Sequence, residues 1–79
     1  MPRKTIVETE ALTKARAKLG DKLRDRRIAL GMSQTDIAST GAVDRSTMSR
    51  IEGGKRTYSV DYLLILDELY TKLENVKTD

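Results

Sequence analysis

Glycines divide this 79-residue chain, from residue 31 onward, into segments of helical length. Gly31, Gly41 and the pair Gly53-Gly54 each follow a segment with helical apolar spacing, and glycine commonly ends a helix. Proline occurs only at Pro2, and no stretch alternates polar and apolar residues as a strand does. The pattern therefore predicts an all-α fold, a compact bundle of four to five helices joined by short turns.

Capping residues indicate where these helices begin. Ser33 opens the sequence Ser-Gln-Thr-Asp, which is a capping box. Asp44 can accept the free amides at the start of a helix over residues 45–52. Ser59 can cap a last helix that continues to about residue 76.

The amino-terminal part allows two interpretations. Apolar residues recur at helical spacing from about residue 9 to residue 30, with Gly20 between them. A glycine inside a helix costs roughly 1 kcal/mol relative to alanine, so the segment is either one long helix or two helices that break at Gly20. Residues 1–18 are expected to be an extension, disordered before about Thr5 and helical from Leu12 onward.

The composition excludes several classes of site. Cysteine and histidine are absent, which removes disulfides, Cys/His zinc sites and His-based nucleophile arrangements. There is also no glycine-rich phosphate loop, so neither an enzyme nor a cofactor or metal is expected. No apolar stretch approaches the roughly 18–20 residues of a membrane span, which favours a cytoplasmic protein with no membrane partner.

The charge is distributed unevenly along the chain. Residues 1–31 contain nine basic and four acidic residues, whereas residues 57–79 contain two basic and five acidic ones. A basic amino-terminal part and an acidic carboxy-terminal part are consistent with a polyanion that binds the first and a protein that contacts the second. A solvated helical surface would give the same pattern, so charge alone does not decide the function.

Residues 34–53, QTDIASTGAVDRSTMSRIEG, contain two short helical segments joined by a turn of roughly four residues. This is the helix-turn-helix arrangement, in which the first helix braces a second one that enters the major groove of DNA. The apolar positions fit it, because four of them would face inward: Ile37, Val43, Met48 and Ile51. The polar positions of the second helix would face outward.

The stretches LGDKLRDRRIALGMSQTDIA and VDRSTMSRIEGGKR resemble the Cro/cI-type (XRE) family of phage and plasmid repressors over about residues 19–70. The resemblance implies a lambda-repressor-like helix-turn-helix DNA-binding domain over residues 19–79, ending in a dimerisation helix. Two departures concern the turn, where Ala42 replaces the family's usual glycine and Gly41 replaces an apolar residue. A third is Asp67, where a small apolar residue is usual.

Roles for individual residues follow from the resemblance together with their chemistry. Arg45 matches the leading base-reading position, and a guanidinium suits guanine O6 and N7. The implied base-reading residues are Arg45, Ser46, Ser49 and Arg50. The implied DNA-backbone contacts are Gln34, Thr47, Lys55 and Arg56. Arg27 and Glu52 resemble the internal salt bridge that ties the first helix to the recognition helix.

The last helix carries more apolar surface than a small domain needs from one helix. We interpret part of this surface as the interface of a homodimer, formed by Tyr62, Ile65, Leu69, Leu73 and Val76. A dimer also supplements the limited core of so short a chain. The alternative is a helix buried entirely within its own monomer.

These observations favour a sequence-specific double-stranded-DNA-binding transcriptional regulator, a homodimeric repressor of an inverted-repeat operator, associated with the nucleoid. One alternative is an antitoxin or restriction-modification controller of the same fold, in which a toxin partner would cover the apolar surface. Another is a helical protein-interaction module without a role on DNA.

Overall fold

A computed structural model describes residues 2–55 and 59–78 of the chain. These residues form helices only: α1 (Pro2–Ala29), α2 (Gln34–Ser39), α3 (Arg45–Glu52) and α4 (Val60–Thr78). The prediction of an all-α bundle is confirmed, and within the described part of the chain the number of helices is four.

The first helix is continuous, so Gly20 does not break it. Gly20 is instead buried where α1 meets the end of α3. A Cβ atom at this position would lie 2.5 Å from the carbonyl oxygen of Ile51, which shows how closely the two backbones approach. The helix begins at Pro2.

The caps of α2 and α4 involve the serines that the sequence indicates. The Ser33 hydroxyl accepts a hydrogen bond from the amide of Asp36 at 3.0 Å, and the Asp36 carboxylate accepts one from the Ser33 amide at 2.8 Å. The Ser59 hydroxyl accepts a bond from the amide of Asp61 at 3.2 Å. Amides of the first turn, which lack partners inside the helix, are thereby satisfied.

The turn between α2 and α3 depends on Gly41, which has φ +84°. This left-handed conformation is unfavourable for residues with a Cβ atom, and Ala42 does not adopt it. The glycine therefore lies one residue earlier than in the family pattern. The turn still contains a glycine in the left-handed conformation.

The core lies where α3 packs against α1 and α2 and where α4 packs against α1. Its buried side chains are Leu23, Ile37, Val43, Met48, Ile51, Leu66 and Tyr70, with Leu19, Leu30, Met32, Leu63 and Leu69 partly buried against them. All four side chains predicted to face inward from the helix-turn-helix segment are among them. Burying each large side chain contributes about 1.5–3 kcal/mol, so the segment is held firmly by its inner face.

Tyr70 and Leu66 are the two fully buried side chains of α4, and Tyr70 is the larger. Its side chain is buried, and the guanidinium of Arg26 lies over the ring, 5.4 Å from the centroid. Its hydroxyl has no hydrogen-bond partner among the described residues. Burial raises the pKa of Tyr70 to about 12, which keeps the phenol neutral.

Candidate nucleic-acid interface

Helix α3 has one buried side and one exposed side. Met48, Ile51 and Glu52 are buried. The outer side carries four exposed polar residues, Arg45, Ser46, Ser49 and Arg50. Because residues four apart lie above one another on a helix, this side forms two adjacent rows, one of residues 45 and 49 and one of residues 46 and 50.

Gln34, at the start of α2, joins the outer side of α3 in one surface. It lines a shallow depression together with the four exposed polar residues of α3. Its Nε2 atom donates a hydrogen bond to Oε1 of Glu52 at 3.1 Å, which fixes the side chain. The structure therefore brings Gln34 and the predicted base-reading residues together.

Arg27 and Glu52 form a two-point ion pair between α1 and α3. Nε of Arg27 lies 2.7 Å from Oε2 of Glu52, and Nη2 lies 2.9 Å from Oε1. Nη1 of Arg27 also donates to the carbonyl of Met32 at 2.8 Å. The side chains are only 12% and 4% exposed. The hydrogen bonds to Glu52 raise the pKa of Arg27, and the pair sets the position of α3 against α1.

Asp44 occupies the position before α3, but the contact that we expected there is different. Its carboxylate makes no capping hydrogen bond to a backbone amide and instead accepts one from the hydroxyl of Thr47. This bond lowers the pKa of Asp44. A hydroxyl three residues along the helix competes with the backbone amides for the same carboxylate. The half-buried Thr47 therefore lies beside the exposed row, with its hydroxyl directed to Asp44.

Lys55 follows α3 and is exposed, and its amide donates to the carbonyl of Arg50 at 2.9 Å. Its side chain is thus placed just beyond the end of the outer side of α3. Arg56, the other predicted backbone contact, lies outside the described residues.

The predicted dimer stripe, which consists of Tyr62, Ile65, Leu69, Leu73 and Val76, lies along one side of α4. Tyr62, Ile65 and Val76 are exposed, at 38%, 42% and 70%. Leu69 and Leu73 are half-buried, and Leu69 also packs against the core. The stripe therefore borders the packed side of α4 and leaves substantial apolar surface uncovered in a single chain.

A second ionic cluster, between α1 and α4, was missed by the sequence analysis. Nη1 of Arg26 lies 2.9 Å from Oδ1 of Asp67, and Nε lies 2.9 Å from Oε2 of Glu74. The hydrogen bonds from Arg26 lower the pKa of Glu74. Asp67 and Glu74 are seven residues apart, which places them on one side of a helix. That spacing and the departure at Asp67 were the signals available in the sequence.

Two short helices joined by a tight turn, the second with a buried apolar side and an exposed polar side, define a helix-turn-helix protein. The family model described as a helix-turn-helix domain matches residues 18–71, and the chain belongs to this family. The resemblance to Cro/cI-type DNA-binding regulators is thus confirmed. No curated protein and no solved structure matches the chain. In the described part of the chain, no helix has the length and apolar character that a membrane span requires.

Proposed function

We propose that the protein is a sequence-specific regulator of transcription that binds double-stranded DNA as a homodimer and represses by occupying an inverted-repeat operator. The observation that carries this proposal is the outer side of α3, where four hydrogen-bonding side chains are exposed and none is apolar. The major groove, about 12 Å wide, admits such a helix.

The two arginines are the proposed principal base readers. Arg45 begins α3 and Arg50 lies in its last turn, so they reach different base pairs along the groove. A guanidinium can donate to both O6 and N7 of guanine, and such a pair is worth about 1–3 kcal/mol of discrimination. Ser46 and Ser49 lie between the arginines and can bond base edges or phosphates.

Phosphate contacts would fix the register of α3 in the groove. Gln34 is suited to this role because Glu52 uses one of its two amide hydrogens and the second remains for a phosphate oxygen. Lys55 adds a positive charge beyond α3. Thr47 and Arg56 complete the proposed set of backbone contacts, and the Thr47 hydroxyl would exchange its bond to Asp44 for one to a phosphate oxygen.

The homodimer is proposed from the exposed part of the dimer stripe. A two-fold axis would pair the stripe with its copy and present two α3 helices to successive major grooves, about 34 Å apart. Each half-site alone offers a small interface, and the second copy supplies the area that tight specific binding requires.

The test starts by selecting bound sequences from a random duplex pool, which yields the operator and its symmetry. Arg45→Ala should then lower the preference for this operator over random DNA by about 5- to 150-fold, the equivalent of 1–3 kcal/mol. Weaker, salt-dependent binding to random DNA should remain. The readout is a titration of both duplexes at two salt concentrations.

The matched control is Lys72→Ala, which removes an exposed charge from α4 and should leave the preference unchanged. An unchanged preference in Arg45→Ala would contradict the assignment of this residue. Absence of salt-dependent binding in the wild-type chain would contradict the DNA-binding function as a whole.

A further inference from the structure

Asp44, which precedes α3, differs from the serines that precede α2 and α4. Ser33 and Ser59 direct their hydroxyls to backbone amides of the helices that follow them. The Asp44 carboxylate makes no such bond and accepts a hydrogen bond from the hydroxyl of Thr47, and its side chain is exposed. Because a carboxylate has two oxygens that accept several donors, Asp44 can accept a further hydrogen bond from outside the chain.

The carboxylate of Asp44 lies at the edge of the proposed DNA-binding surface. Asp44, Thr47 and Arg50 are three residues apart, and residues at this spacing follow one another along one side of a helix. The hydrogen bond between the first two shows that their side chains are in contact. Arg45, the next residue, begins α3. The carboxylate is therefore at the amino-terminal end of the surface that carries both proposed base-reading arginines.

A carboxylate at such a surface opposes binding unless a donor meets it, because the phosphates of DNA are negatively charged. The hydrogen bond from Thr47 lowers the pKa of Asp44, so the side chain is ionised at neutral pH. Glu52, the other carboxylate of this segment, is buried and paired with Arg27. Asp44 thus presents an exposed negative charge, and DNA that offers it no donor should be bound less tightly.

We propose that Asp44 is a specificity-determining residue whose carboxylate accepts a hydrogen bond from the N4 amine of a cytosine, within one base pair of the guanine that Arg45 contacts. The proposal rests on the proposed DNA-binding function and adds one base to the half-site that α3 recognises. Aspartate is suited to this base because cytosine presents its N4 amine as a donor in the major groove. Transfer of the Thr47 hydroxyl to a phosphate oxygen would free the carboxylate oxygen that it now occupies.

Cytosine suits the carboxylate better than adenine, the other base with an amine in the major groove. The N6 amine of adenine lies beside the acceptor N7, which would face the negatively charged oxygens of Asp44. Cytosine presents its N4 amine without a neighbouring acceptor on the same base. An amide side chain has the opposite preference, because asparagine bonds N6 and N7 of adenine together. The side chain at position 44 should therefore determine the base at one position of each half-site.

The test replaces the carboxylate by an amide of the same size and by a methyl group. Operators are selected from a random duplex pool with wild type, Asp44→Asn and Asp44→Ala, and each base pair of the wild-type half-site is then substituted in turn. Wild type should prefer cytosine at one position by at least about fivefold. Asp44→Asn should prefer adenine there, and Asp44→Ala should bind all four base pairs alike. Both variants should bind random DNA more tightly than wild type at low salt, because one negative charge is removed.

Two further variants separate base recognition from a structural role of Asp44. Asp21→Asn removes an exposed carboxylate from α1 and should select the wild-type half-site. Thr47→Val removes the hydroxyl that contacts Asp44. It should weaken binding to the operator but keep the preference for cytosine, because the carboxylate is still present. If Asp44 acted only by holding Thr47, Thr47→Val would abolish the preference as Asp44→Ala does. Circular dichroism verifies that every variant is folded.

Several results would overturn the proposal: a cytosine preference that survives in Asp44→Ala, no gain of adenine in Asp44→Asn, or loss of the preference in Thr47→Val. A change confined to the guanine that Arg45 contacts would also overturn it, by showing that Asp44 orients this arginine instead. The Arg45→Ala titration tests the proposed function separately. If Arg45→Ala loses the operator preference while the Asp44 variants select the wild-type half-site, only the assignment of Asp44 fails. Absence of salt-dependent binding by wild type would refute both.

Discussion

Two adjacent arginines connect α1 to the rest of the molecule in different ways. Arg27 pairs with Glu52 of α3 in a protected position, with side chains 12% and 4% exposed. Arg26 pairs with Asp67 and Glu74 of α4, whose side chains are 67% and 42% exposed. Both are arginine–carboxylate ion pairs, but the carboxylate that pairs with Arg27 is buried and those that pair with Arg26 are exposed to solvent.

Because of this difference in exposure, the Arg27–Glu52 pair should contribute much more to stability than the pairs of Arg26 with α4. A buried ion pair that loses one member leaves an uncompensated charge away from water, which is costly. An exposed pair is screened by salt and solvent, so its loss costs little. Helix α3 is therefore held firmly against α1, whereas α4 is attached more weakly on its polar edge.

The largest effect is expected from Arg27→Met. The variant leaves the Glu52 carboxylate, with its side chain 4% exposed, without its ionic partner. We expect the free energy of unfolding to fall by about 3–5 kcal/mol, as measured by urea denaturation. The double variant Arg27→Met with Glu52→Met serves as the control and should recover most of the loss. Equal instability of the single and double variants would contradict this explanation.

A smaller loss of stability is expected from Gly20→Ala. This variant tests the same contact between α1 and α3, at the point where the two backbones approach each other. Alanine favours a helix over glycine by roughly 1 kcal/mol, so propensity alone predicts stabilisation. The added Cβ would lie 2.5 Å from the carbonyl oxygen of Ile51 and force α1 and α3 apart. We therefore expect net destabilisation of about 1–3 kcal/mol in urea denaturation. Asp21→Ala, at the exposed neighbouring position, is the control, and a more stable Gly20→Ala would refute the close approach.

The smallest effect is expected from Arg26→Met, at the exposed edge of α4. The free energy of unfolding at neutral pH and low salt should fall by about 1 kcal/mol or less, and added salt should reduce this difference from wild type. Arg26 holds the pKa of Glu74 below its ordinary value of 4.5. The stabilisation is thus complete above this value and disappears as the pH falls through the lower, folded-state pKa.

Urea denaturation of wild type and Arg26→Met between pH 7 and pH 3 measures this dependence. The difference between the two proteins should be constant near neutrality and shrink in acid. A loss as large as that of Arg27→Met, or one insensitive to salt, would remove the distinction between the two arginines.

The helices were predictable from the sequence because the signals that place them are local. Ser33 and Ser59 satisfy amides within two or three residues of their own positions. Gly41 supplies the left-handed residue after α2 without reference to any distant element. The spacing of the apolar residues predicted which side of α3 is buried. The polar positions on the opposite side, which include Arg45 and Arg50, were therefore predicted to be exposed.

The contacts between helices were predictable only in part, because spacing on one helix does not specify its neighbour. Arg26 and Arg27 are adjacent in the sequence, and the Arg27–Glu52 pair was inferred from a family pattern. Nothing equivalent pointed to Arg26, and Asp67 was noted only as a departure. The hydroxyl of Thr47 likewise donates to Asp44, a partner that the sequence analysis did not identify.

The sequence by itself determined an all-α fold, the caps at Ser33 and Ser59, the glycine turn after α2 and the polar outer side of α3, since hydrogen bonds and periodicity within a few residues specify them. Only the tertiary structure decided that Gly20 is a contact point and that adjacent arginines serve different helices. It also decided that apolar surface on α1 and α4 stays exposed. These outcomes depend on the distance and orientation between segments far apart in the chain, which packing of the whole core sets.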